Sequence, residues 1–289
     1  MTTTSGPPRR LPQPIGAPSQ ALVKPPARKL GNRVPPAPCP RILFYAVEGF
    51  GKTTFGAYAP DPVILMARDE TGVDRLLQSA SIPELPAEKC ETWTDLMQWL
   101  DTLIEDQQGR KTLVLDAAGG FERLCIEHVC TNSFNGSMKE FDAYGRGYKI
   151  FPSEWMKMLG RLDSLNARGM LVIVLAHATV KPFDDPESAK YDRYRIDLSD
   201  HIEAPMKRWA DAILFGNFYT AVVKDNEKAA KGKGKGGRER HIYTNRCAAY
   251  DAKNGYRMPD DIILPNDPAQ NWATVWEHIE ASTTKENQQ

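Results

Sequence analysis

No apolar run in this chain of 289 residues approaches the length of a membrane-spanning helix. The first residues carry no apolar core of the kind a secretory signal needs. Cysteine is sparse: five residues, at 39, 90, 125, 130 and 247, an odd number at spacings that fit no zinc site. A disulfide scaffold and a zinc module are therefore excluded, and the expectation is reduced thiols in a cytoplasmic protein. Cys125 and Cys130 read as packing residues on a helix. Acid is missing from residues 1–40, which hold six Lys or Arg and 11 of the 22 prolines. So basic and apolar-poor a stretch buries too little surface to offset ordering entropy, and it reads as a disordered arm.

Net charge is zero, with 37 basic and 37 acidic side chains, but the charge is unevenly spread. Beyond the arm, 31 bases face 37 acids, and residues 224–257 hold ten Lys or Arg against four acids. Basic charge gathered at two places on an otherwise acidic body suits a polyanion-binding surface.

From Arg41 onward, apolar runs alternate with helical patterns. Strands are expected at 42–45, 62–66, 112–115, 170–176 and 212–215. Helices are expected at 52–58, 73–80, 93–107, 121–130, 153–166 (Ser153 as N-cap), 204–209 and 272–279. Residues 131–151 and 179–200 read as loops. Residues 217–247 read as a β-hairpin whose tip is the Lys-Gly repeat beginning at Lys231. The pattern predicts an α/β fold, a mostly parallel sheet with helices on both faces and a C-terminal hairpin. The expected division is an arm over 1–40, a core over 41–265, and a C-terminal helix and tail over 266–289.

The richest stretch is Arg41–Thr54, where an apolar run meets Glu48-Gly49-Phe50-Gly51-Lys52-Thr53-Thr54. This is the layout of a phosphate-binding P-loop. Gly49 and Gly51 let several N–H groups turn toward one anion, and the following helix presents its N-terminus to it. Lys52 can reach β- and γ-phosphate oxygens, and the Thr53 hydroxyl can hold magnesium. The motif's first glycine is replaced by Ala46. The plain alternative is a glycine turn between strand and helix.

Downstream acids complete the expectation. Asp116 ends a strand and can stand beside a magnesium ion on Thr53. Asp69 and Glu70 follow another strand; Glu70 is the expected base toward water, with Asp69 as the competing carboxylate. His177 ends the strand 170–176, where it can touch a γ-phosphate or serve as an ordinary strand-end histidine. The two loops interleave cations with aromatics: Lys139, Tyr144, Arg146, Tyr148 and Lys149 in one, Lys181, Arg193 and Arg195 in the other. With Lys231, Lys233 and Lys235, they suit a single-stranded nucleic acid, cations tracking phosphates and rings stacking on bases.

On these residues the chain resembles the RecA-like P-loop ATPases, and more closely the short phage-encoded, core-only members that act in single-strand annealing and recombination. The resemblance spans about residues 41–265. It rests on Gly49–Thr54, Arg68–Gly72, the strand ending at Asp116, Ala176-His177, and Ala252–Arg257. It implies ATP and Mg2+ as cofactors, Glu70 activating water, His177 sensing nucleotide, and the two loops holding DNA. Lys253 would act on the nucleotide of an adjacent subunit. The implied partners are single-stranded DNA, further copies of the chain in a ring or filament, and a single-strand-binding protein, in the host cell cytoplasm if phage-encoded. Two other readings stand beside this one: a helicase or helicase-loading ATPase acting on a replication protein, and a nucleotide-binding regulatory module without turnover.

Overall fold

A computed structural model describes residues 39–185, 189–223 and 233–286. Apart from Cys39 and Pro40, the expected arm lies outside them, as does Lys231.

Strand β1 (Arg41–Ala46) shows how the core is divided. Leu43 and Tyr45 enter one apolar cluster, and Ile42, Phe44 and Ala46 enter another. Side chains alternate along a strand, so a run apolar at every position from Ile42 to Ala46 must be covered on both faces. The second cluster takes α1 (Lys52–Ala57), α2 (Gly72–Gln78) and, from the far end of the chain, α8 (Asn271–Glu286). Phe55 meets Trp272 with ring centroids 5.4 Å apart. The C-terminal helix is thus packed into the core. The first cluster takes α3 (Trp93–Glu105), α4 (Ala118–Phe134), α6 (Arg146–Asn166) and α7 (Asp200–Trp209). Cys125 and Cys130 are buried on α4, as their spacing implied.

The remaining strands are β2 (Pro62–Ala67), β3 (Ala87–Cys90), β4 (Thr112–Asp116), β5 (Leu171–Phe183), β6 (Tyr191–Ile196), β7 (Ala212–Val223), β8 (Lys233–Tyr243), β9 (Lys253–Asn254) and β10 (Asp261–Leu264). The sheet order is β10-β8-β7-β1-β5-β4-β2-β3, parallel from β7 to β3 and antiparallel across β7, β8 and β10. Strand β5 is inserted between β1 and β4. Among the described residues no helix is long and apolar enough to cross a membrane.

Several expected boundaries are corrected. Residues 131–151 are mostly helical: α4 runs to Phe134, α5 spans Met138–Asp142, and α6 begins at Arg146. Ser153 is not an N-cap; it sits inside α6 and its Oγ donates to Ile150 O at 2.7 Å. The buried stripe Phe151, Trp155, Met158, Leu162 and Leu165 carries the helix through Pro152. Residues 179–200 are not an irregular loop, because β5 runs on past the sheet and pairs with β6. The Lys-Gly repeat from Lys233 is strand, paired with β7, and the side chains of Lys233 and Lys235 lie outside the description. Short β3, β9 and β10 carried no alternating apolar signal long enough to read.

Candidate nucleotide site

Register sets the site. Ala46 at the end of β1 lies level with His177 on β5 and Gly216 on β7. Asp116 ends β4 level with Met66, four residues before Glu70. The P-loop, Glu70, Asp116 and His177 therefore share the carboxyl edge of the parallel strands, where ligands of such sheets bind.

Gly49 and Gly51 have φ of 72° and 101°, the left-handed region that glycine enters without strain. Phe50, buried between them, packs on Phe44 and Phe218, with centroids 5.8 Å away in each case. Its ring anchors the loop, and Glu48 and Gly49 are left exposed. The substitution at Ala46 has a structural counterpart. A Cβ on Gly216 would lie 2.8 Å from the Ala46 methyl and 2.7 Å from the Phe50 ring. Glycine in the neighbouring strand makes the room.

Lys52 is 8% exposed, with Nζ 3.3 Å from Ala46 O. Burial pulls its pKa below the lysine range, against the attraction of Asp116, Glu70 and Glu48. Thr53 Oγ1 donates to Asp116 Oδ2 at 2.7 Å. Burial pushes the Asp116 carboxyl up to about 6, although the Thr53 hydrogen bond pulls the other way. A hydroxyl beside a buried carboxylate short of compensating charge is a donor set that fits a hard cation such as magnesium.

The two neighbouring acids are held differently. Asp69 pairs with Arg123 of α4. Glu70, three-quarters buried, faces His177, with Oε1 3.7 Å from Nε2. Arg123 lies 54 residues from its partner and left no local sequence signal.

The expected nucleic-acid residues divide in two. Lys139, Tyr144, Arg146 and Lys149 are exposed; Tyr144 is 96% exposed and Arg146 lies over the Phe134 ring. Tyr148 is half-buried and stacks on His201. Of the β5–β6 cations, Arg193 is a correction. Arg193 is 3% exposed, bound to Asp251 at 2.8 Å and set over Phe183. Arg195 pairs with Asp200 and Glu203, and Lys181 Nζ donates to Leu198 O at 3.4 Å. These cations serve the protein's own acids and carbonyls. Lys253 stands away from its own P-loop: it pairs with Ile213 near the start of β7, and Nζ donates to Ala210 O at 2.5 Å beyond the end of α7.

A P-loop after β1, an acid ending β4 and a strand inserted between them define a P-loop nucleotide-binding ATPase core. A family model described as an AAA domain matches residues 39–256, and the chain belongs to that family. No curated protein matches the chain.

Proposed function

We propose that the chain is a RecA-like, ATP-dependent, single-stranded-DNA-binding protein of the phage recombination and annealing type, working as a ring or filament with ATP between subunits. The observation that carries the hydrolytic part is the convergence of Lys52, the Thr53–Asp116 pair and Glu70 against His177 at one sheet edge. Glu70 takes the proton as a water oxygen attacks the γ-phosphorus, and the ADP oxygen leaves. Asp69 is disfavoured as base because its carboxylate is already held by Arg123. Thr53 and Asp116 would hold Mg2+, whose charge offsets that on the phosphate oxygens. Lys52 adds a cation from within the fold, where low dielectric strengthens it.

The DNA part is supported by Tyr144, an exposed ring on backbone of φ 55°, flanked by exposed Lys139, Arg146 and Lys149. A large ring held in water costs hydrophobic free energy that a stacked base recovers.

The deciding experiment measures ATP turnover with and without oligo-dT, together with unwinding of a forked duplex. Stimulation without unwinding is the expected result. Unwinding, or stimulation by a replication protein and not by DNA, would favour the helicase or loader reading. Binding of ATP with no turnover under either condition would favour a regulatory module.

A further inference from the structure

Arg240 on β8 is a cation in an unusual place. Its strand neighbours are Phe218 on β7 and Leu264 on β10. Nη2 donates to Pro265 O at 2.6 Å and lies 3.4 Å from Asn271 Oδ1 at the start of α8. Nη1 turns to the P-loop, 3.6 Å from where a Cβ on Gly51 would stand. Arg41, Arg68, Arg123, Arg161, Arg193 and Arg195 each pair with a carboxylate. No described carboxylate pairs with Arg240, and burial lowers its pKa with nothing to oppose it. A half-buried guanidinium held only by neutral oxygens carries a desolvation cost that an anion beside it would offset.

Topology says which part of the anion. Asp116, Glu70 and His177, the groups for the γ-phosphate, all lie on the β5–β4–β2 side of β1. With the γ-phosphate there, the β7–β8 side of the P-loop is what is left to the rest of the nucleotide. Arg240 is on that side, fixed by the carbonyl after β10.

We propose that Arg240 binds the nucleotide's α-phosphate end in cis, so that the P-loop is completed by a strand almost 190 residues downstream. The proposal rests on the ATP-binding reading above. It gives the β7–β8–β10 sheet a part in nucleotide affinity that the P-loop motif does not encode. The guanidinium acts equally on bound substrate and transition state, so its loss belongs in KM and leaves kcat alone.

The test compares wild type, Arg240→Gln, Arg240→Lys and Lys52→Ala. Glutamine keeps a donor for Pro265 O and removes the charge; lysine keeps the charge and loses the fork. Titration calorimetry measures ADP and pyrophosphate binding, and steady-state assays give KM and kcat for ATP. A charge-assisted contact predicts ADP affinity about tenfold or more weaker in Arg240→Gln, with KM raised similarly, kcat within about twofold and pyrophosphate binding kept. Arg240→Lys should fall between. ADP and pyrophosphate weakened together, with kcat reduced, would mean that Arg240 merely shapes the loop, and unchanged ADP affinity would also overturn the proposal. Wild type that binds no ADP, or Lys52→Ala that binds it normally, would sink the ATP-site reading instead. If Arg240→Gln does not fold, phenylglyoxal labelling of wild type decides: ADP should shield Arg240 and leave exposed Arg68 reactive, whereas equal labelling of Arg240 with and without ADP would overturn the proposal.

Discussion

At the scale of single residues, the site separates two adjacent carboxylates by what each already touches. Asp69 is paired with Arg123, and Glu70 looks across to His177. Glu70→Gln should therefore bind ATP normally and hydrolyse it about a hundredfold or more slower, the usual loss for a general base. Asp69→Asn should retain most of its rate. Single-turnover assays check this, and a slow Asp69→Asn beside a normal Glu70→Gln reverses the assignment. Asp116 sets a pH dependence. Its carboxyl holds its proton up to about 6, above the ~3.9 of a free aspartate. The nucleotide-free protein therefore keeps this contribution in full below about pH 4 and loses it as pH rises through about 6. Magnesium-nucleotide binding needs the carboxylate, so its affinity should rise over the same interval. Melting temperatures against pH, with and without MgADP, should draw apart between about pH 4 and 6 and keep a constant gap above that, and Asp116→Asn should remove the widening. Parallel curves for the wild type across that interval would contradict it.

At the scale of elements, two cationic segments that look alike in sequence behave differently. The stretch around Tyr144 leaves its ring and three cations exposed, while β6 turns Arg193 inward onto Asp251 and Phe183. Tyr144→Ala should weaken oligo-dT binding by about 1–3 kcal/mol with no change in melting temperature. Arg193→Ala removes one buried partner of Asp251, which keeps Lys207, and should cost about 1–3 kcal/mol of stability. Fluorescence anisotropy paired with thermal melts separates the two outcomes; normal DNA affinity in Tyr144→Ala would remove that ring from the interface. The partner of Arg193 lies 58 residues away, and for that reason no reading of residues 179–200 alone revealed its burial.

At the scale of the whole molecule, what was legible in the sequence is what sits close together along it. The P-loop, the strand ending at Asp116 and the parallel α/β plan could all be read, since each rests on local spacing or on an unbroken apolar run. Arg123, Gly216 and Arg240 could not, because their roles arise only when β7, β8 and α4 come beside the P-loop edge. Gly216 alone left a trace, a glycine directly after the apolar run 212–215. Assembly brings a further test at this scale. Lys253 pairs with Ile213 near the start of β7 and caps α7, and the proposed ring or filament would bring it to the nucleotide of a neighbouring copy. Lys253→Ala subunits should bind ATP and hydrolyse it slowly. Mixed with Glu70→Gln subunits they should regain activity, because some mixed interfaces then hold both residues. No recovery in a co-assembled mixture would confine Lys253 to capping.

The contact between Ala46 and Gly216 makes two distant positions one unit of heredity. The methyl present on one strand is the methyl forbidden on the other, with a Cβ at 216 only 2.8 Å from Ala46. Gly216→Ala should therefore be harmful alone, by about 1–3 kcal/mol for an overfilled core. Part of that loss should vanish in the double substitution with Ala46→Gly, leaving the remainder to the Phe50 ring. A double-mutant cycle in denaturant measures the coupling, and strict additivity would show that the two sites drift independently.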